Sequence, residues 1–224
     1  MNDKAREKWQ EAFYEGDYHR SVHGHLIDSP LYYELKAREA RADLFSGIDE
    51  GAEVFEFGVG LGKNIVLLQK KSGFDISDFA RSFSEQHGIS VFSNMDDVPD
   101  GKYDVVLSSH VLEHVEDPFE NLQLLSRKLK PGGKLILVLP VEQHRQVPFA
   151  IDADQHLYSW NFRTINNLLQ RAGYRILENR YRYGTMQYKL RFVGKLSFRL
   201  YHAQTKLLGR LLGRRDMVVV AERS

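Results

Sequence analysis

From Glu53 to the C-terminus, short apolar runs alternate with amphipathic stretches, and this alternation restricts the fold more than any other feature of the chain. The runs that read as strands are 54–57, 73–76, 89–92, 103–108, 135–139, 174–183 and 216–221. Helices are expected in most of the gaps, which implies right-handed βαβ crossovers and a mostly parallel sheet. Residues 3–46 read as helical, interrupted at Asp28-Ser29-Pro30, so a helical cap over 1–46 precedes a domain over 47–224. Asp117-Pro118 with Glu120 marks a helix start, and that helix should run to Leu129 or Lys130 and stop at a turn, Pro131-Gly132-Gly133. A second helix should begin near Asn161, align Ile165, Leu168, Leu169 and Ala172, and end at Gly173.

The 224 residues suit one domain, and 42% hydrophobic with 27% charged residues can bury a real core. There is no cysteine, which removes disulfides, thiolate zinc sites and cysteine nucleophiles together. No apolar run is long enough to span a bilayer, and the N-terminus has no signal-peptide core, so the cytoplasm is the expected location. The net charge of +1 hides an asymmetry: ten of the 31 Lys and Arg fall within 179–215, which has no Asp or Glu. A basic module therefore sits on an acidic body, a separation that points to a partner.

The first strand runs into Glu56-Phe57-Gly58-Val59-Gly60-Leu61-Gly62, and a helix is expected next. Three alternate glycines let the backbone turn sharply and lie against a ligand that a Cβ would push away. Lys63 stands where a dinucleotide fingerprint needs its third glycine, and Asn64 follows it, which excludes a P-loop. Glu56 would repel a pyrophosphate but suits a ligand carrying an ammonium and a sulfonium.

Four segments in order, VFEFGVGLG, GFDIS, YDVVLSSHVLEHVEDP and LKPGGKLILVLP, resemble the class I S-adenosylmethionine-dependent methyltransferases, in the branch of the ubiquinone-biosynthesis type. The resemblance covers about 54–221. It implies a Rossmann-like α/β fold: a seven-stranded, mostly parallel sheet with helices on both faces and an antiparallel last strand. It also implies that Glu56 and the backbone of Gly58, Gly60 and Gly62 hold the methionine end of S-adenosyl-L-methionine. Asp75 would take the ribose hydroxyls, and Asn94 and Met95 the adenine, although the family usually has an acid where Asn94 stands. His110, after the fourth strand, would line both cofactor and acceptor.

Methyl transfer to a hydroxyl requires alignment, desolvation and a base near neutrality, which favours histidine. His110, His114, His144 and His156 are candidates, with His114 next to Glu113 read as a structural residue at a helix start. His156 is preferred as catalytic base because its loop, between the fifth strand and the Asn161 helix, should lie at the ligand-binding edge of the sheet. Asp152, Asp154 and His156 alternate in that loop as solvated residues do, so no metal site is expected. The Asn/Asp-Pro-Pro-aromatic turn used on base amines is missing after the fourth strand, which leaves small-molecule, saccharide (glycan) or lipid-linked acceptors in front.

Between the sixth strand and the last, a basic insertion over about 186–215 reads as one amphipathic helix. Lys195, Arg199, His202, Lys206 and Arg210 form its charged stripe, and Leu196, Leu200, Ala203, Leu207 and Leu211 run beside it. Through residues 189–215 it could meet an anionic membrane or a lipid-linked substrate, or its leucines could cover the sheet or a homodimer partner. Two other functions fit parts of the sequence. A catalytically silent methyltransferase-like subunit would keep Glu56 and Asp75, and an RNA methyltransferase, though nucleic acid is disfavoured, would show steeply salt-dependent RNA affinity.

Overall fold

The computed structural model describes residues 16–142, 155–184 and 188–224. The predicted base candidate His144, and Asp152 and Asp154, lie outside the described residues.

Helices α1 (Gly16–Ile27) and α2 (Pro30–Leu44) are the first described elements, broken where the sequence places Ser29-Pro30. The Ser29 side chain accepts from Tyr32 N, and Pro30 occupies the first turn, where its missing N–H costs nothing. Seven strands follow: β1 (Glu53–Phe57), β2 (Lys70–Phe74), β3 (Ser90–Phe92), β4 (Tyr103–Ser109), β5 (Leu129–Pro140), β6 (Tyr174–Tyr183) and β7 (Arg215–Arg223). They form one sheet in the order β3-β2-β1-β4-β5-β7-β6, with β7 antiparallel to both β5 and β6. The flanking helices are α3 (Asp78–Gln86), α4 (Pro118–Lys128) and α5 (Phe162–Arg171). This is the expected Rossmann-like α/β architecture. The central strands are buried on both faces, as parallel strands under helices must be, and 135–139 of β5 are at most 1% exposed.

By contact the chain divides into two compact units, 1–98 with 186–205 and 99–185 with 206–224.

Both firmly marked helices form. Asp117 caps α4 through Glu120 N at 2.9 Å, and Asn161 caps α5 in a reciprocal box with Thr164. Four local expectations need correction. No helix follows the glycine turn. β2 starts at Lys70, three residues before the predicted edge, and 58–69 is left with turns such as Val66 N to Gly62 O at 3.0 Å. Pro131-Gly132-Gly133 does not end a helix before a strand. Instead it sits inside β5, where the pairing jumps from Tyr103↔Leu129 to Val105↔Lys134 and Gly132 takes φ +73°. Glu113 and His114 lie in a turn closed by His114 N to Val111 O at 2.9 Å, ahead of α4 rather than at a helix start.

The basic insertion is the fourth correction. It is two helices, α6 (Arg191–Leu196) and α7 (Phe198–Leu211), not one. Ser197 breaks them with an extended backbone, φ −159° and ψ 120°, and its hydroxyl then accepts Leu200 N at 3.3 Å as the cap of α7.

A Cβ at Gly209 of α7 would lie 2.6 Å from Gly184 N and 3.0 Å from Gly184 O, both backbone atoms that cannot rotate aside. In an exposed helix, Gly→Ala gains up to about 1 kcal/mol. Here the overpacking cost of about 1–3 kcal/mol should win. Gly209→Ala is expected to lower the urea midpoint, and a raised midpoint would show that this contact is not close.

Candidate functional site

In the first unit, β1 delivers Glu56, fully buried, just before the glycine turn. Its Oε1 accepts Asn64 Nδ2 at 2.6 Å, while Oε2 is buried without a hydrogen-bond partner. Burial drives the carboxyl up to about 8, with Asp75 adding to the rise and Lys63 and Asn64 opposing it. A carboxylate oxygen left bare in the interior is costly unless a cation meets it. An ammonium group fits that position.

The turn itself is rigid. Gly60 N donates to Asp75 Oδ2 at 2.8 Å, Gly60 O accepts Ser84 Oγ at 2.8 Å, and Leu61 O accepts Tyr33 Oη at 2.8 Å. Gly60 has φ +52° and open space where a side chain would point, so the backbone is bare toward a ligand. At Gly62, with φ +72°, a Cβ would collide with Ile89 Cδ1 and Ser84 Oγ.

Asp75 follows β2 and is nearly buried. Each oxygen takes a backbone N–H, Oδ2 from Gly60 and Oδ1 from Ser77 at 3.0 Å, and each retains lone-pair capacity for a hydroxyl. Burial raises its pKa against the pull of those N–H groups, His19 and Arg81. The residues present therefore suit a ligand with an ammonium at one end and a diol further along. Asn94 caps a short 3-10 turn, Met95–Asp97, with Oδ1 accepting Asp96 N at 3.0 Å, and its NH2 group and the second lone pair of Oδ1 remain for a ligand. Met95 is half-buried beside it. His19 was not foreseen: it is buried on α1, stacks on Phe79 at 5.8 Å between centroids, and acts on Asp75. Nothing in the helical 3–46 segment marks it out.

In the second unit, His110 follows β4 with φ +56°, a left-handed conformation that non-glycine residues rarely adopt and that concentrates at functional sites. Its N–H is held by Val138 O at 2.9 Å. The ring lies 3.5 Å (Nδ1) from Glu113 Oε1 and 3.7 Å (Nε2) from Asp216 Oδ1, ion-pair distances beyond a directed hydrogen bond. Burial pulls its pKa down, but Asp216 and Glu113 outweigh it and lift the imidazole to about 9. The side chain remains 44% exposed, so water moderates that pull. The two acids therefore favour the protonated ring.

His156 meets a carboxylate: Nδ1 pairs with Glu142 Oε1, and Ser159 Oγ bonds Glu142 Oε2. Because a carboxylate only accepts, Nδ1 carries a proton, and in the neutral ring the lone pair is then on Nε2. The loop holding His156 is pinned to the turn before α4, since Glu113 O accepts Leu157 N at 2.8 Å and Glu116 O accepts Tyr158 Oη at 2.8 Å. His114 and His156 pack edge to face at 4.8 Å. Burial lowers the pKa of His114 despite Glu113 and keeps it neutral. Glu113 is fully buried and neither oxygen makes a hydrogen bond. Ligand-capable atoms of Glu113, His114 and His156 lie within 4.8 Å of one another, a grouping that can hold a metal ion. The sequence pairing of His156 with Asp152 and Asp154 does not contain this group. Glu142, Asp216 and the role of Glu113 were all missed, because only sheet register and loop path bring them to the histidines.

Residues 31–179 match the methyltransferase domain family. An uncharacterised protein of Methanocaldococcus jannaschii is 36% identical over 85 residues, 37% of this chain and 42% of that one. The O-methyltransferase resE of Aspergillus sclerotiorum is 27% identical over 166 residues, 65% of this chain and 62% of the relative. The chain thus spans less than two thirds of either relative. A chain from the complex of the Haloferax volcanii Trm112 methyltransferase activator with a methyltransferase shares the fold, with TM-score 0.62 and 17% identity over 92% of this chain and 96% of the other. A family match across most of the sheet and a first unit suited to an ammonium and a diol lead to one conclusion: the chain belongs to the methyltransferase domain family, with S-adenosylmethionine as its cofactor.

Proposed function

We propose that the protein is an O-methyltransferase of the ubiquinone-biosynthesis-like branch. It works in the cytoplasm on a hydroxyl of a small-molecule, saccharide or lipid-linked acceptor. The observation that carries the reading is the Glu142–His156 pair, which leaves Nε2 of a half-buried histidine able to take a proton. The likeness to resE, an O-methyltransferase, supports the same acceptor chemistry.

The cofactor supplies an electrophilic methyl on a sulfonium, and the protein supplies binding, orientation and proton handling. Glu56 binds the ammonium through Oε2, the Gly58–Gly62 backbone lies along the methionine portion, and Asp75 accepts the ribose hydroxyls. The Asn94 NH2 and Met95 meet the adenine. His156 Nε2 removes the acceptor's proton, and Glu142 fixes the tautomer and offsets the imidazolium that forms. His110, cationic between Glu113 and Asp216, orients the acceptor rather than deprotonating it.

A second reading is favoured by the buried, unbonded Glu113 carboxylate. Glu113, His114 and His156 would hold a divalent cation that binds the acceptor oxygen and lowers its pKa, with Glu142 behind His156 as an outer carboxylate. Direct titration with Mn²⁺ or Zn²⁺ separates the two readings. Saturable binding lost in Glu113→Gln, with turnover abolished by chelator and restored by metal, selects the metal; chelator-insensitive turnover selects the histidine base.

Asp75→Ala is expected to weaken S-adenosylhomocysteine by about 1.5–3 kcal/mol, the range for a charged hydrogen bond, and unchanged affinity in calorimetry would take Asp75 out of the site. His156→Ala should cut turnover by roughly 10²–10⁴-fold with cofactor affinity nearly unchanged. Near-normal turnover would leave His156 a structural residue. The raised His110 pKa also has a stability consequence. A histidine whose folded pKa exceeds the unfolded value stabilises fully below about 6.5 and loses that contribution as pH rises through about 9. His110→Asn tolerates the left-handed backbone, so its stability deficit against wild type should shrink between neutral pH and pH above about 9. A deficit independent of pH would mean that the charge is not held.

A further inference from the structure

Helix α7 is held the opposite way round from an ordinary surface helix. Its inward side carries Tyr201 and Thr205, both fully buried. Thr205 Oγ1 donates to Glu39 Oε1 at 2.6 Å and His202 Nε2 pairs with Asp43 Oδ1 at 3.1 Å, while further along Gly209 sits on Gly184. These polar and close contacts set the rotation of the helix. The consequence lies on the outer side: Leu200, Leu207 and Leu211 fall within an arc of about 40° on a helical wheel and are 50%, 57% and 73% exposed. Phe192 and Leu196 of α6, and Leu212 after α7, are exposed as well. Arg199, Arg210 and Arg214 are exposed cations on the same helix and its exit, Lys195 is exposed on α6, and no acid occurs anywhere within 179–215.

We propose that the outer face of α7, extended by α6, docks on an anionic lipid bilayer. A second copy packed symmetrically through this same face would bring Arg199, Arg210 and Arg214 against like charges. A nucleic acid would use the cations and leave the leucines in water. An anionic bilayer takes both: the leucines enter the acyl boundary, and the long basic side chains reach the headgroup phosphates. Each Lys or Arg adds roughly five-fold to partitioning, so the attachment is reversible and salt-sensitive. The surface shares no residue with those assigned to methyl transfer, and its failure would leave that assignment standing.

The full chain is sedimented with vesicles of phosphatidylcholine alone and of phosphatidylcholine with phosphatidylglycerol, at low salt and at about 0.5 M, where screening is complete within a few ångströms. Wild type should pellet only with the phosphatidylglycerol vesicles and be largely released by salt. Arg199→Glu/Arg210→Glu should weaken binding by about 25-fold or more. Leu207→Ser/Leu211→Ser should weaken binding at low salt and remove any fraction that resists high salt. S-adenosylhomocysteine affinity reports that each variant is folded, and Leu211→Ala alone serves where the double leucine variant is not. Three outcomes overturn the proposal. Wild type could ignore phosphatidylglycerol vesicles at low salt, the leucine variants could bind like wild type, or the leucines could instead support a dimer in sedimentation velocity.

Discussion

One carboxylate holds the first unit in working order. Asp75 takes the Gly60 N–H on one oxygen and the Ser77 N–H on the other, and so ties the glycine turn after β1 to the end of β2 and the start of α3. Ser84 and Tyr33 clamp the carbonyls of the same turn. Without these ties, three residues at positive φ would be a flexible loop whose ordering a ligand would have to bring about on binding. With them the backbone is preorganised, and Glu56 waits beside it with one oxygen unbonded. The geometry of the turn is therefore decided before any ligand arrives.

The second unit is organised around another buried carboxylate, Glu113. Its backbone carbonyl anchors the His156 loop, and its side chain faces His110, His114 and His156. His110 is raised by two acids, His114 is lowered by burial, and His156 is oriented by Glu142.

The sheet and the glycine turn were legible because strand alternation, glycine and helix caps act over a few residues. Asp117 and Asn161 each announced a helix that forms, and the break read at Asp28-Ser29-Pro30 separates α1 from α2. What could not be read depends on distance in the chain. Asp216 reaches His110 because antiparallel pairing sets Asp216 opposite Pro140, two residues past Val138, whose carbonyl holds His110 N. The missing helix after Gly62 reflects how early β2 begins, and the run 70–74, KKSGF, does not look like a strand start. Pro131-Gly132-Gly133 was recognisable as irregular, but a bulge and a turn share the same residues. In the basic insertion the leucine periodicity was clear, whereas Ser197 as a helix break, and the direction the leucines face, were not. The rotation of α7 is set by Glu39 and Asp43, more than 150 positions earlier.

The bare oxygen of Glu56 has a thermodynamic consequence. With its pKa lifted to about 8, the group is mostly protonated at neutral pH before anything binds. An ammonium arriving at Oε2 favours the ionised form, so loading expels a proton and its heat includes the ionisation heat of the buffer. Substrate and product carry the same ammonium, so mild acidification loosens both alike. Acidity thus sets the occupancy of the site without altering its preference between the methylated and demethylated cofactor.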